Sequence, residues 1–186
     1  MLDRESKKIL LALARRTIRE YFLNKAVVKF ETENEELKQK CGAFVTLHNN
    51  GKLRGCIGVI ESDRPLYITV EEMAVQAARN DPRFEPLSEE ELKDIDIEIS
   101  VLYPKKKVES AENVDLEKHG VIVKKGFAQG VFLPQVAKET NWSKTEFMEH
   151  LCSDKAGLKK DAYLDPETEI YVFEADVFSE KEILLK

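Results

Sequence analysis

Hydrophobic spacing predicts two amphipathic helices in the first half of the chain. The first covers residues 3–24, and the charged residues between its apolar positions belong to the opposite face. The second begins at Pro65 and ends near Asn80, because the residue before Pro82 is disfavoured in a helix. The apolar positions of the first helix are Ile9, Leu10, Leu13, Ala14, Ile18, Tyr21 and Phe22.

Alternating and β-rich segments predict an antiparallel fold. Two runs, Cys41–His48 and Lys52–Ile60, flank Asn49-Asn50-Gly51, a sequence typical of a tight hairpin turn. Further strands are predicted at 95–101, 120–124, 130–133 and 168–178, and a short helix is predicted after Pro134. Two capping-box sequences, Ser88-Glu89-Glu90-Glu91 and Ser143 with Glu146, predict a short helical turn and a helix to about Cys152. The lysine run 105–107 is expected to be a solvated loop. Since strands and helices do not alternate regularly, we predict an α+β fold with mainly antiparallel sheets flanked by helices.

The hairpin places a charge and a thiol in an apolar setting. If Asn50-Gly51 is a two-residue turn, Leu47 faces Arg54 and Val45 faces Cys56. Arg54, Cys56 and Gly58 then share one face with apolar residues of the first strand. A guanidinium in such a place needs an anionic partner or an anionic ligand.

Cys56 has two interpretations. A cysteine on a mostly apolar strand is usually an inert core residue. Alternatively, Arg54 stabilises a Cys56 thiolate that acts as a nucleophile or redox centre. Gly55 and Gly58 lack side chains on either side of Cys56, which permits close approach of a backbone or a ligand.

Two further segments carry candidate binding residues. Asp81-Pro82-Arg83-Phe84 is interpreted as a rigid helix exit, in which Arg83 pairs with Asp81 and Phe84 fills the core. Gln135 follows Pro134 at a helix start, where its amide either binds a polar ligand or caps the backbone.

Composition narrows the function classes. With 29 Lys and Arg against 35 Asp and Glu, the net charge of -6 argues against a protein that coats nucleic acid or anionic lipid. The apolar run Ile9–Ala14 is too short to cross a membrane and its charged flanks do not suit a signal peptide. Three widely spaced cysteines indicate reduced thiols in a cytosolic protein, and the histidines and cysteines lack metal-ligand spacing.

Several blocks in order along the chain resemble the AMMECR-type domain family, which includes protein A of the AmmeMemoRadiSam system. The blocks cover nearly the whole chain and show no departure at the signature positions. They are Phe44-Val45-Thr46-Leu47, Leu53-Arg54-Gly55-Cys56-Ile57-Gly58, Ala77-Ala78 with Asp81-Pro82-Arg83-Phe84, Ile99-Ser100-Val101-Leu102, Phe132-Leu133-Pro134-Gln135-Val136-Ala137, Trp142, and Cys152 with Lys155-Ala156-Gly157-Leu158.

The resemblance implies a cytoplasmic protein whose residues 1–186 form one domain of two intertwined sublobes with a cleft between them. The cleft would be lined by Arg54, Gly55, Cys56, Gly58, Arg83 and Gln135, with Arg54 and Cys56 as the candidate catalytic pair. The resemblance also implies that the protein is a catalytic or accessory component of a modification system, in which it works with a MEMO-like protein and a radical S-adenosylmethionine enzyme. No settled reaction or cofactor comes with the family.

Because this chain lacks a cysteine triad for an iron–sulfur cluster, radical chemistry would belong to the partner. The alternative is a non-enzymatic recognition or adaptor module in which the signature strand is structural.

Overall fold

The structure is a computed structural model that describes residues 1–24 and 30–184 and divides into two compact units. Unit 1 consists of Met1–Leu102 and Asp176–Lys186, whereas unit 2 consists of Tyr103–Ala175. Its antiparallel sheets with flanking helices confirm the α+β prediction. The assignment of residues 1–186 to one domain and the cleft between sublobes stay predictions.

Most predicted elements form within a few residues of their expected bounds. The helices and strands of the structure, in chain order, are α1 (Arg4–Asn24), α2 (Glu35–Lys38), β1 (Gly42–Asn49), β2 (Lys52–Val59), α3 (Leu66–Arg79), β3 (Ile95–Leu102), β4 (Lys106–Val108), β5 (His119–Lys125), β6 (Ala128–Phe132), α4 (Pro134–Thr140), α5 (Lys144–His150), β7 (Glu169–Ser179) and α6 (Glu180–Leu184). Of these, α2, β4 and α6 were not predicted. The helix expected to continue to Cys152 instead becomes a π-helix at Leu151–Lys155.

The lysine run is the clearest error in the element predictions. Lys106–Val108 is a short strand that pairs antiparallel with β7, not a solvated loop. Short edge strands often carry lysines, because the charge discourages pairing with other chains. A charged run is therefore compatible with a strand at this position.

Unit 1 is a three-stranded antiparallel sheet in the order β2-β1-β3, with α1 and α3 packed on the face that carries the buried residues of β1. The Asp3 carboxylate caps the N-terminus of α1 by accepting a hydrogen bond from the Ser6 backbone N–H at 2.7 Å. The shared core contains Leu10, Leu11, Ala14, Ile18, Ala43, Val45, Leu47, Val70, Ala74, Ile97, Ile99 and Val101.

The two sequence segments of unit 1 are joined by partly buried ionic contacts. Arg15 of α1 forms a bidentate pair with Glu180 and also donates to the carbonyl oxygens of Leu92 (2.8 Å) and Ile95 (2.7 Å). Glu180 in turn accepts the Ile97 backbone N–H at 3.0 Å. Residues after 175 therefore complete the contacts of β3 and α1.

Unit 2 contains the antiparallel strand order β4-β7-β5-β6, in which β7 takes part through its residues up to Glu174. Helix α5 begins with the capping box that the sequence predicts, formed by Ser143 and Glu146. The core of unit 2 contains Val121, Val123, Phe132, Phe147, Met148, Leu151, Cys152, Ile170 and Val172.

Candidate functional site

A β-bulge changes the predicted register of the hairpin. Asn49 faces Lys52, as a two-residue Asn50-Gly51 turn requires, but Leu47 faces Gly55, so that Arg54 is an extra residue in β2. The predicted pairs Leu47–Arg54 and Val45–Cys56 are therefore wrong. Cys56 instead faces Thr46 and lies on the sheet face opposite to the core residue Val45.

The bulge directs Arg54 to an anionic partner within the chain. Its Nε and terminal nitrogen donate to the two Glu91 carboxylate oxygens at 2.7 and 2.9 Å. The guanidinium also donates to the carbonyl oxygens of Glu85 (3.0 Å) and Pro86 (3.4 Å). Arg54 thereby joins β2 to the segment 85–91, and Glu91 is the anion that the sequence analysis required.

The Arg54–Glu91 contact perturbs both groups. The hydrogen bonds from Arg54 lower the pKa of Glu91 to about 2, with a further contribution from the Ser88 backbone N–H at 2.9 Å. The same contact raises the pKa of Arg54. Glu91 belongs to the predicted capping-box sequence Ser88–Glu91, so its position in a helical turn could be predicted from the sequence. Its pairing with Arg54, 37 residues away, could not.

Gly55 and Gly58 are required by close packing on the two faces of β2. A Cβ atom at Gly55 would lie 2.2 Å from the carbonyl oxygen of Ala77, because α3 packs directly on the strand. A Cβ atom at Gly58 would lie 2.2 Å from the Phe44 ring. The close approach expected at these glycines is therefore made by the backbone of α3 and by an aromatic side chain.

Asp81 and Arg83 act on the main chain of β2 in the way that a neighbouring strand would. The buried Asp81 carboxylate accepts the Cys56 N–H at 2.8 Å, and Arg83 donates to the Cys56 carbonyl oxygen at 3.2 Å. The two side chains also pair with each other, at 2.7 and 2.9 Å. These contacts satisfy both main-chain groups of Cys56 at the outer edge of the sheet.

The contacts between Asp81 and Arg83 favour the ionised carboxylate and the protonated guanidinium. The side-chain hydrogen bonds from Arg83 hold the pKa of Asp81 far below its usual range, despite burial, and raise the pKa of Arg83. The predicted pairing of Arg83 with Asp81 is thus confirmed. Phe84, however, is only half-buried and lies outside the core cluster, which Leu87 enters in its place.

Cys56 differs from the other two cysteines in its surroundings. Its thiol is half-buried and lies 3.2 Å from the Thr46 hydroxyl oxygen, while the Arg83 side chain beside it is 54% exposed. Cys41 and Cys152 are buried, and burial raises the pKa of both. We call Thr46, Cys56, Asp81 and Arg83 the Cys56 site.

The remaining candidate residue belongs to unit 2. Gln135 is half-buried in the first turn of α4, directly after Pro134. Its proposed roles in ligand binding or backbone capping stay predictions.

Across residues 1–24 and 30–184, no three or more His, Cys, Asp or Glu side chains are grouped to hold a metal ion. Within the same residues, no helix has both the length and the apolar character needed to cross a bilayer.

Comparisons with known proteins give a consistent family match. The AMMECR1 family model matches residues 11–178. Protein MK0488 of Methanopyrus kandleri is 41% identical over 190 residues, covering 97% of this chain and 91% of the relative. A protein of Aquifex aeolicus is 40% identical over 180 residues, covering 93% of this chain and 92% of that protein. The crystal structure of the uncharacterized protein PH0010 from Pyrococcus horikoshii matches with a TM-score of 0.89 and 36% identity, covering 97% of this chain and 94% of that one.

Proposed function

Because the chain belongs to the AMMECR1 family, we propose that it is a component of a modification system with a MEMO-like protein and a radical S-adenosylmethionine enzyme, and that the Cys56 site is its working site. The observation that carries the proposal is a half-exposed thiol next to a hydroxyl group and an exposed guanidinium. Thiol, hydroxyl and cation together can bind an anionic group and present a nucleophile to it.

The residues of the site have different roles in this proposal. Cys56 supplies the thiol, and Thr46 supplies a hydroxyl group within 3.2 Å of the sulfur. Arg83 supplies the accessible cation, because its side chain is 54% exposed even though it pairs with Asp81. The Arg54 side chain is only 17% exposed and is bound to Glu91 and two carbonyl oxygens. Arg54 is therefore proposed as a positioning residue that supports β2 through the segment 85–91, and not as the group that holds a ligand.

Alkylation of the folded protein tests the proposed thiol. Iodoacetamide is expected to modify Cys56 first and faster as pH rises, because the thiolate is the reactive form and the other cysteines are buried. Cys56→Ser should abolish the fast reaction, whereas Cys41→Ser and Cys152→Ser serve as matched controls that retain it. If Cys56 reacts no faster than the buried cysteines at any pH below about 9, the nucleophile is excluded.

The partnership requires its own experiment. Purified protein is mixed with a purified MEMO-like protein and a radical S-adenosylmethionine enzyme from the same organism, and complexes are measured by size-exclusion chromatography with light scattering. Co-elution with either partner is expected. Absence of co-elution, together with no effect of this chain on the turnover of either partner, would contradict membership of such a system.

A second candidate function is a non-enzymatic recognition module. It is favoured by the internal use of the signature strand, in which Arg54, Gly55 and Gly58 all contact other parts of unit 1. Cys56→Ser and Arg83→Gln distinguish the two functions. If the protein is only a binding module, both variants should keep partner binding and the effect on the partners' turnover. If the Cys56 site takes part in the chemistry, both variants should stay folded but lose the effect on turnover.

A further inference from the structure

A cavity in unit 2 has the charge pattern of a site for a small zwitterion. The cavity measures about 340 Å³, which is within the usual range for small-molecule pockets. Its lining consists of residues from the start of unit 2, β4, β5 and β7, including Tyr103, Lys106, His119, Val172, Phe173 and Glu174. Since all of these residues belong to unit 2, the inference does not depend on the function proposed for the Cys56 site.

Strand register places the three polar side chains on one face of the sheet. His119 lies directly opposite Glu174, and Lys106 lies directly opposite Val172. Val172 and Glu174 are two residues apart on the same strand and therefore point to the same side. Lys106 and Glu174 are consequently diagonal neighbours, whose Cα atoms are typically about 7–8 Å apart in an antiparallel pair.

The charged groups at the cavity are not used for internal pairing. Neither Lys106 nor Glu174 forms a salt bridge with another residue in the described ranges 1–24 and 30–184. This contrasts with the adjacent Lys107, whose ammonium group pairs with Glu169. The cavity thus has one unpaired cation and one unpaired anion at its lining, with no net charge.

The third polar group is a histidine in a defined tautomer. The His119 Nδ1 atom accepts the Asp115 backbone N–H at 3.1 Å, so the proton of the neutral ring is on Nε2. His119 therefore contributes an N–H donor. Together, Lys106 and His119 are two donors for an anionic group, and Glu174 is an acceptor for a cationic group.

We infer that this cavity binds a small ligand that has both a carboxylate and an ammonium group, such as an α-amino acid. Lys106 and the His119 Nε2–H bind the carboxylate, and Glu174 binds the ammonium group. The buried side chain of Val172, which lies on the same face as Lys106 and Glu174, gives apolar surface for the rest of the ligand. A ligand with only one of the two charges would leave Lys106 or Glu174 without a partner.

The inference is tested with glycine, L-leucine and L-phenylalanine as probes of increasing size. Each amino acid is titrated into the full-length ¹⁵N-labelled protein, and saturable amide shifts are expected around Lys106, His119 and Glu174 for at least one of them. Two matched analogues remove one charge each from leucine: 4-methylpentanoate lacks the ammonium group and 3-methylbutylamine lacks the carboxylate. Both should bind about tenfold more weakly or worse, because hydrogen bonds to charged groups are the strong ones.

Variants identify the residues responsible. Lys106→Met and Glu174→Gln should each weaken binding by about tenfold. Lys107→Met is the matched control on the same strand and should leave the affinity unchanged. The inference is overturned if none of the three amino acids gives a saturable shift, if 4-methylpentanoate binds as tightly as leucine, or if K107M weakens binding as much as K106M.

Discussion

Replacing Arg54 by alanine is expected to destabilise unit 1 in a pH-dependent way. A carboxyl whose pKa falls from 4.5 to about 2 on folding has its ionised form stabilised by roughly 3 kcal/mol, since each tenfold change in proton affinity corresponds to about 1.4 kcal/mol. Part of this effect comes from the Ser88 N–H, which the variant retains. We therefore expect Arg54→Ala to lower the free energy of unfolding by about 2 kcal/mol at neutral pH.

The pH dependence follows from the lowered pKa of Glu91. Unfolded Glu91 takes up a proton near pH 4.5 and folded Glu91 near pH 2, so the stabilisation is complete above pH 4.5 and is lost as pH falls to about 2. The difference between the wild type and Arg54→Ala should therefore be constant from neutral pH down to about 5 and shrink below that.

The measurement is urea unfolding followed by far-ultraviolet circular dichroism at several pH values. Arg64→Ala is the matched control, because Arg64 pairs with Glu72 at the surface, where both side chains are largely exposed. That variant should change stability by less than about 0.5 kcal/mol. A loss for Arg54→Ala that is equally small, or one that is as large at pH 3 as at pH 7, would refute the reasoning.

Two more predictions concern the packing and the edge of β2. Gly55→Ala should lower the free energy of unfolding by at least about 2 kcal/mol, because the added methyl group would meet the Ala77 carbonyl oxygen; an unchanged urea midpoint would contradict this. Asp81→Ala should speed hydrogen exchange at the Cys56 amide, which loses its acceptor, while the amide of Val45 inside the sheet serves as the reference. Equal protection of Cys56 in both proteins would show that Asp81 does not cap the strand.

Local patterns predicted most of the fold, because a helix or a hairpin depends on neighbouring residues. The apolar spacing of α1, the Asn-Gly turn and the Ser143 capping box all correspond to observed elements. Strand β4 was missed since it has three residues and two of them are lysines. A strand this short depends on its neighbour β7, which lies more than 60 residues later in the sequence.

The candidate site was only partly predictable from the sequence. The sequence singled out Arg54, Cys56 and Arg83 as candidates, and it predicted that Arg54 needs an anionic partner or ligand, which Glu91 supplies as a partner. The bulge at Arg54 could not be predicted from the sequence. One inserted residue changes which side chains beyond it point to the core, and the apolar and polar positions of β2 fit either register. The Arg54–Glu91 pair spans 37 residues and the Cys56–Asp81 contact spans 25, so both depend on where α3 and the following loop pack.

The contacts between α1 and residues 176–180 have a consequence for synthesis on the ribosome. Arg15 gains its carboxylate partner, and Ile97 an acceptor for its N–H, only after Glu180 has left the exit tunnel. The nascent chain must therefore hold α1 and β3 without these partners while all of residues 103–175 are translated. Unit 2 is continuous in sequence and can therefore complete its folding earlier. Unit 1, most of which is synthesised first, is then the last to complete its contacts.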